Sequence, residues 1–187
     1  SSCVAHSQRS CLAGDIDNHN GTCTATFDAD TKDGFFALHN DNLLDCEDFK
    51  HEETATAFDW ASSKLDISTQ TGASKGNFTI NRGLILFNTE RLNDESTILS
   101  AKLKLKTKEN GYVNWSSYPD AFVSLTGVNI DSPTGISVGD FGKFNDARLV
   151  DEGKELELGG LLKNQNVELQ INNAGLSSVN KRGWTSF

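Results

Sequence analysis

The sequence contains no methionine, only two prolines, and no cysteine beyond position 46. Because methionine is missing even at position 1, we expect that a leader was removed and that Ser1 is a processing site. No stretch of the chain approaches the ~20 apolar residues that a membrane-spanning helix requires. We therefore expect no membrane span.

Sequence motifs of catalytic sites are also missing. The chain has no nucleophile elbow, no HExxH zinc motif, no P-loop and no dinucleotide fingerprint. Asp140-Phe141-Gly142 matches a kinase triplet, but the glycine-rich loop and the catalytic loop of kinases are absent, so we expect a turn there. We predict that the protein is not an enzyme, and a secreted glycan-active enzyme is the last of our three hypotheses.

Basic residues are scarce in the first third of the chain. Residues 1–59 contain twelve Asp and Glu against three Lys and Arg, a net charge of −9, whereas residues 60–187 contain fourteen of each sign. Nucleic acid is not an expected partner, because neutralising phosphate requires basic residues. All the cysteines and histidines also lie within the first 51 residues. This break in composition predicts an N-terminal extension, residues 1–53, followed by a domain at residues 54–187.

Four cysteines lie in the predicted extension, which is rich in Asp, Asn, Gly, Ser and Thr: Cys3, Cys11, Cys23 and Cys46. An even cysteine count in a secreted chain favours two disulfides that pin a loop-rich segment, and four cysteines allow three pairings. We predict the neighbouring pairs Cys3–Cys11 and Cys23–Cys46. Zinc is the alternative, because histidines lie among these cysteines, although no CxxC pair is present.

Two acidic loops in the extension resemble calcium-binding loops, in which alternating carboxylates surround a hard cation. The first contains Asp15 and Asp17, and the second contains Asp28, Asp30 and Asp33. Glycine stands at the seventh position instead of the sixth, and no acidic residue closes either loop at the twelfth, which excludes an EF-hand. An irregular calcium site and a solvated turn remain as interpretations. We expect no other cofactor.

Two strand signals follow one another in residues 81–108. Leu84–Phe87 is an unbroken apolar run, which suits a strand that is covered on both faces. Residues 101–107 then alternate apolar or threonine side chains with lysines, a period of two that predicts one buried and one exposed face. Residues 167–171 alternate in the same way. The predicted core is Leu84, Leu86, Phe87, Leu103, Leu105, Leu169 and Ile171, with Lys102, Lys104 and Lys106 exposed.

The same region resembles a known family. The residues that carry the resemblance are Arg82, Gly83, Leu84, Leu86, Phe87, Asn88, Thr89, Leu92, Thr97, Ile98, Ser100, Ala101, Leu103 and Leu105. In this order they are similar to the DNRLRE-type β-sandwich domains, and the similarity runs from Thr54 to the C-terminus. It implies an all-β fold, a jelly-roll-like antiparallel β-sandwich. It also implies a secreted or cell-surface location and structural or carbohydrate-binding roles.

Acceptor sequons for glycosylation agree with an extracellular or cell-surface location. Three Asn-X-Ser/Thr triplets begin at Asn20, Asn77 and Asn114. Such triplets also arise by chance, so they raise the expectation of secretion only modestly.

Aromatic residues are concentrated in the predicted loop at residues 109–120, which carries Tyr112, Trp115 and Tyr118. Flat aromatic faces on a loop of a β-sandwich can stack on sugar rings. They can equally close the end of the sandwich by packing there. Both interpretations stay open.

Three functional classes therefore remain. The leading hypothesis is a non-catalytic extracellular structural or interaction module, such as a filament or appendage subunit, that self-associates through its N-terminal extension. The extension has little hydrophobic periodicity, so it must lie against something. It can cover its own sandwich or add a strand to a neighbour's sheet, and we favour the neighbour. The second hypothesis is a carbohydrate-binding module with a polysaccharide partner.

Overall fold

The computed structural model describes residues 11–30, 33–40, 52–60, 67–71, 78–109, 122–130 and 132–187. Their fold is strand-rich with antiparallel sheets, which confirms the all-β prediction. The strands are β1 (Ile16–Asp17), β2 (Cys23–Thr24), β3 (Gly34–Asn40), β4 (Ala57–Trp60), β5 (Ser68–Thr71), β6 (Phe78–Leu84), β7 (Leu86–Asn88), β8 (Lys102–Lys106), β9 (Phe122–Val123), β10 (Thr126–Val128), β11 (Phe144–Arg148), β12 (Leu156–Glu157), β13 (Asn166–Gln170) and β14 (Trp184–Ser186). Short helical segments are the 3-10 helices Val138–Lys143 and Leu158–Gly160 and the α-helix α1 (Asn173–Ser178).

The largest described sheet has four strands in the order β4-β3-β6-β5. β3 pairs along its whole length with β6, and its other edge pairs with β4. Phe36 of β3 is fully buried, and its ring packs edge-on against Phe141 and Phe144. β3 precedes the predicted boundary at residue 53, yet it lies inside a sheet formed with later residues. The change in charge along the sequence therefore does not coincide with a change of sheet.

β6 and β7 form one extended stretch with Ile85 between them, and this stretch is covered on both faces. Leu84 and Leu86 are fully buried in a first hydrophobic cluster that includes Phe36. Ile85 is buried in a second cluster, together with Leu103. The unbroken apolar run predicted this two-sided burial, and the prediction is confirmed.

The predicted alternation of β8 is also confirmed. β8 pairs with β13, so that Leu103 stands opposite Leu169 and Lys104 opposite Glu168. Both leucines are buried, whereas the three lysines of β8 are exposed. Leu105 and Phe87 were predicted to be buried but are only partly buried at the border of the second cluster.

The last strand fixes the C-terminal residues to β7. Phe187 is buried, and its backbone exchanges two hydrogen bonds with Ile85, at 2.8 and 3.0 Å. Next to this ladder, the buried hydroxyls of Thr89 and Thr185 lie 2.7 Å apart. Residues 184–187 are therefore held against β7 both by apolar burial and by hydrogen-bonded polar groups.

The disulfide pairing differs from the predicted one. A disulfide joins Cys11 to Cys23, with 5.7 Å between the Cα atoms, so the predicted pairs Cys3–Cys11 and Cys23–Cys46 are wrong. The reason is local. β1 and β2 form a hairpin in which Asp17 stands opposite Cys23, and this pairing brings Cys23 close to the segment before β1, where Cys11 lies. Cys3 and Cys46 lie outside the described residues.

Candidate functional site

One carboxylate of the first acidic loop, proposed above as a calcium ligand, forms an ion pair with an arginine. Arg91, in the segment after β7, forms an ion pair with Asp15, whose side chain is 6% exposed. The same guanidinium donates to the carbonyl oxygen of Thr26 at 2.9 Å and lies 4.5 Å from the ring centre of Phe27. Arg91 thus attaches the disulfide-closed hairpin to the rest of the fold. We call these four residues the arginine clamp.

The remaining acidic candidates do not converge on one point. The carboxylate of Asp17 accepts from the backbone N–H of His19 at 2.8 Å, and Asp28 is exposed. Asp30 and Asp33 both hydrogen-bond the backbone of Leu86. The Asp30 N–H donates to the Leu86 carbonyl, and the Leu86 N–H donates to the Asp33 carboxylate, each at 2.8 Å. Within the described ranges, no three His, Cys, Asp or Glu side chains are grouped to hold a metal ion.

One carboxyl group of the second acidic loop has a raised pKa. Burial raises the pKa of Asp33 to about 6, and the nearby charge of Asp30 adds to this effect, while the hydrogen bond from Leu86 opposes it. A half-buried carboxylate with this pKa is partly protonated near neutral pH. Asp30, Asp33 and Leu86 form a clasp between the acidic loop and the start of β7.

Of the predicted sequons and aromatic candidates, one residue lies in the described part of the chain. Asn20 is exposed in the turn between β1 and β2, and its side-chain oxygen accepts from the Thr22 hydroxyl at 2.6 Å. The position is open to modification. The other candidates, Asn77, Asn114, Tyr112, Trp115 and Tyr118, lie outside the described residues.

The exposed side of β8 and β13 is a basic surface, which we call the lysine face: Lys102, Lys104, Lys106 and Glu168. The Glu168 carboxylate receives Lys102 at 2.9 Å and Lys104 at 3.4 Å. Hydrogen bonds from these two lysines lower the pKa of Glu168. Lys106 stands opposite Asn166, which carries no charge. The lysine face therefore contains three cations and one carboxylate, which leaves an excess of positive charge.

The lysine face borders the edge of β8 that points away from β13. The Ile171 N–H donates to the Ala101 carbonyl at 3.0 Å, and the Thr107 N–H donates to the Gln165 carbonyl at 2.9 Å. Because bonded residues alternate along an antiparallel ladder, the backbone groups of residues 102, 104 and 106 lie along the opposite edge of β8. In the described part of the chain, no strand pairs with that edge.

A cleft of about 450 Å³ lies between β6 and β8. Much of its apolar lining comes from the second hydrophobic cluster, including Ile85, Leu103 and Leu125, and Phe144 beside the first cluster adds to it. Polar lining residues include Asn81, whose amide nitrogen donates to the Ser68 hydroxyl at 2.9 Å. Its side-chain oxygen is buried and has no hydrogen-bond partner among the described residues. The cleft therefore combines an apolar surface with one unsatisfied acceptor.

Two charged residues of opposite sign also line this cleft. Glu52 is exposed to solvent. Arg82 is engaged with aromatic rings: its guanidinium carbon lies 4.2 Å from the ring centre of Phe141 and 5.6 Å from that of Phe144. The Arg82 guanidinium also donates to the Phe141 carbonyl at 3.4 Å. The contacts with the two rings are cation–π interactions, and they occupy the face of the guanidinium.

The arginine clamp and the cleft were not predicted from the sequence. One signal for the cleft was present in the sequence. By strand periodicity, Asn81 and Ile85 lie on the same side of the extended stretch formed by β6 and β7, so a polar residue stands on a side that is otherwise buried.

No protein-family model, curated protein or solved structure matches the chain. The described residues contain no helix long and apolar enough to cross a membrane.

Proposed function

We propose that this chain is a non-catalytic extracellular interaction module that associates with copies of itself through the lysine face. The fold that goes with this proposal is the jelly-roll-like β-sandwich, and the antiparallel ladders that bury two apolar clusters support it. The disulfide Cys11–Cys23 supports an oxidising, extracellular location.

The observation that carries the proposal is the juxtaposition of an excess of lysines with an edge of β8 that no described strand pairs with. Exposed carboxylates of the acidic first third, such as Asp17, Asp28 and Glu53, provide a complementary surface on a second copy. Opposite potentials steer association and set its orientation. Because the two surfaces are different, the contact is head-to-tail, and it builds a filament when the rotation between successive copies does not close a ring.

The strand β3 changes the form of this proposal. The sequence favoured a version in which the extension adds a strand to a neighbour, but residues 34–40 already complete the chain's own four-stranded sheet. Transfer of this strand to a neighbour would take the fully buried Phe36 out of the core and leave a cavity there. We therefore propose association through surface charge and the β8 edge, with β3 kept in its own sheet.

The test compares two charge reversals that change net charge equally. Lys104→Glu lies in the lysine face, whereas Lys154→Glu lies in an exposed turn after β11. Light scattering at increasing salt should show assembly of the intact chain that weakens as screening grows, over roughly 0.05–0.5 M. Lys104→Glu should weaken this assembly, and Lys154→Glu should not.

A second pair of variants addresses the acidic surface. Asp17→Asn combined with Asp28→Asn removes two exposed charges and keeps an oxygen that can accept the His19 N–H. These changes should also weaken assembly. A monomer at every concentration and salt, retained on a polysaccharide column, would overturn the proposal in favour of carbohydrate binding.

A further inference from the structure

The cleft between β6 and β8 has the properties of a ligand site that is separate from the lysine face. Its volume of about 450 Å³ lies within the range of small-molecule sites, roughly 300–1,000 Å³. Such sites combine a mainly apolar lining with a few fixed polar groups. Here much of the apolar lining belongs to a packed core cluster, so those walls are held in place by tertiary contacts.

The Asn81 side chain defines the polar contact that a ligand has to make. Its amide nitrogen is already used by Ser68, while its buried oxygen has no partner among the described residues. A buried acceptor without a donor is costly, and a ligand that supplies a donor removes that cost. The ligand therefore needs a hydroxyl or an amine N–H.

The charged lining residues indicate that the ligand has no net charge. Arg82 is engaged by Phe141 and Phe144, and Glu52 is exposed to water and of opposite sign. The two charges are opposite and offset one another, so the lining favours neither an anion nor a cation. An uncharged body in the apolar part of the cleft avoids the cost of desolvating a charge.

We propose that this cleft binds a small uncharged amphipathic molecule, with an apolar body against Leu103 and Leu125 and a hydroxyl that donates to the Asn81 side-chain oxygen. A single hydroxyl matches the one unsatisfied acceptor among the buried side-chain atoms of the described residues. The inference does not depend on self-association, since the lysine face lies on the outer side of β8 and the cleft on its buried side.

The test uses 4-propylphenol and 4-propylanisole, which share an apolar body and differ in the hydroxyl donor. Calorimetric titration of the intact chain should show that the phenol binds about tenfold more tightly than the anisole, the effect of satisfying one buried acceptor. Asn81→Leu should remove this preference while leaving the anisole affinity unchanged. Asn166→Leu is the control, because Asn166 is exposed on β13 away from the cleft.

Further arms keep the test decisive. Where Asn81→Leu does not fold by circular dichroism, Leu105→Trp is used to fill the cleft, and it should abolish binding of both compounds. Equal affinities for the phenol and the anisole, or a preference that persists in Asn81→Leu, would overturn the proposed contact. Binding of neither compound, or displacement of the phenol by cellobiose at lower concentration, would overturn the ligand class.

Discussion

Replacing Asp33 with asparagine should make the fold more stable at neutral and alkaline pH. In the clasp, the Asp33 carboxylate accepts the Leu86 N–H at 2.8 Å while burial and the charge of Asp30 oppose its ionisation. Asparagine has a side-chain oxygen in the same position, so it can accept the same hydrogen bond without carrying a charge. The substitution thus removes the electrostatic cost and keeps the contact.

The magnitude follows from the shift in pKa. The pKa of Asp33 rises from 3.8 to about 6 on folding, so between these values the folded chain binds more protons than the unfolded chain. The free energy of unfolding therefore falls as pH rises through this window, and the cost is fully present above it. Two units correspond to about 3 kcal/mol for a fully buried group. Because this carboxyl is half exposed to solvent screening, we expect about 1 kcal/mol.

The assay is urea unfolding at a series of pH values. Asp33→Asn should gain about 1 kcal/mol near pH 8, and the gain should vanish near pH 2.5, where the native aspartate is protonated in both states. Asp28→Asn is the matched control, because it removes one exposed charge from the same loop. A variant that is less stable than the native chain at pH 8 would refute the reasoning, since the ionised carboxylate would then be favourable.

Three further predictions follow from packing and local contacts. Leu103→Ala should cost about 2–5 kcal/mol of unfolding free energy and Lys104→Ala almost none, and equal losses in urea unfolding would contradict the register of β8. Reducing Cys11–Cys23 should speed hydrogen exchange in β1 and β2 but leave β8 protected, because neither described core cluster contains a cysteine; uniform loss of protection would contradict this. Arg91→Ala should cost about 1 kcal/mol and loosen the same hairpin in exchange measurements, and Arg91→Lys should rescue little, because lysine lacks the planar fork that reaches both Asp15 and Thr26.

The sequence predicted the strands in which local periodicity and tertiary environment agree. β8 and β13 alternate strictly because one side faces the second cluster and the other faces water. The run around Ile85 is continuous because clusters cover both of its sides. In these segments, the side-chain pattern alone contains the information on burial.

Local sequence patterns carry little information where the environment of a segment is set by distant residues. β3 was placed in the extension because acidic loops surround it and lower the average hydrophobicity of the segment. Its apolar residues Phe35–Leu38 pair with β6, more than forty positions later, and Phe36 packs against Phe141 and Phe144. The clamp of Arg91 on Asp15 and the cleft beside Asn81 likewise join segments far apart in the chain. No local pattern reports such contacts, as the wrong disulfide pairing also shows.

The lysine face allows two physical interpretations that predict opposite effects of one substitution. Natural sheets often place lysines along an open edge to prevent association, whereas the proposed function uses these lysines to attract an acidic surface. Lys104→Thr distinguishes them, because threonine removes the charge and favours the extended backbone. If the lysines guard the edge, light scattering should increase in this variant, because an uncharged edge can pair with another strand. If they attract a second copy, scattering should fall and the salt dependence should weaken with it, since one charge of the attraction is gone. An increase would refute attraction through this face and leave the cleft as the interaction site to pursue.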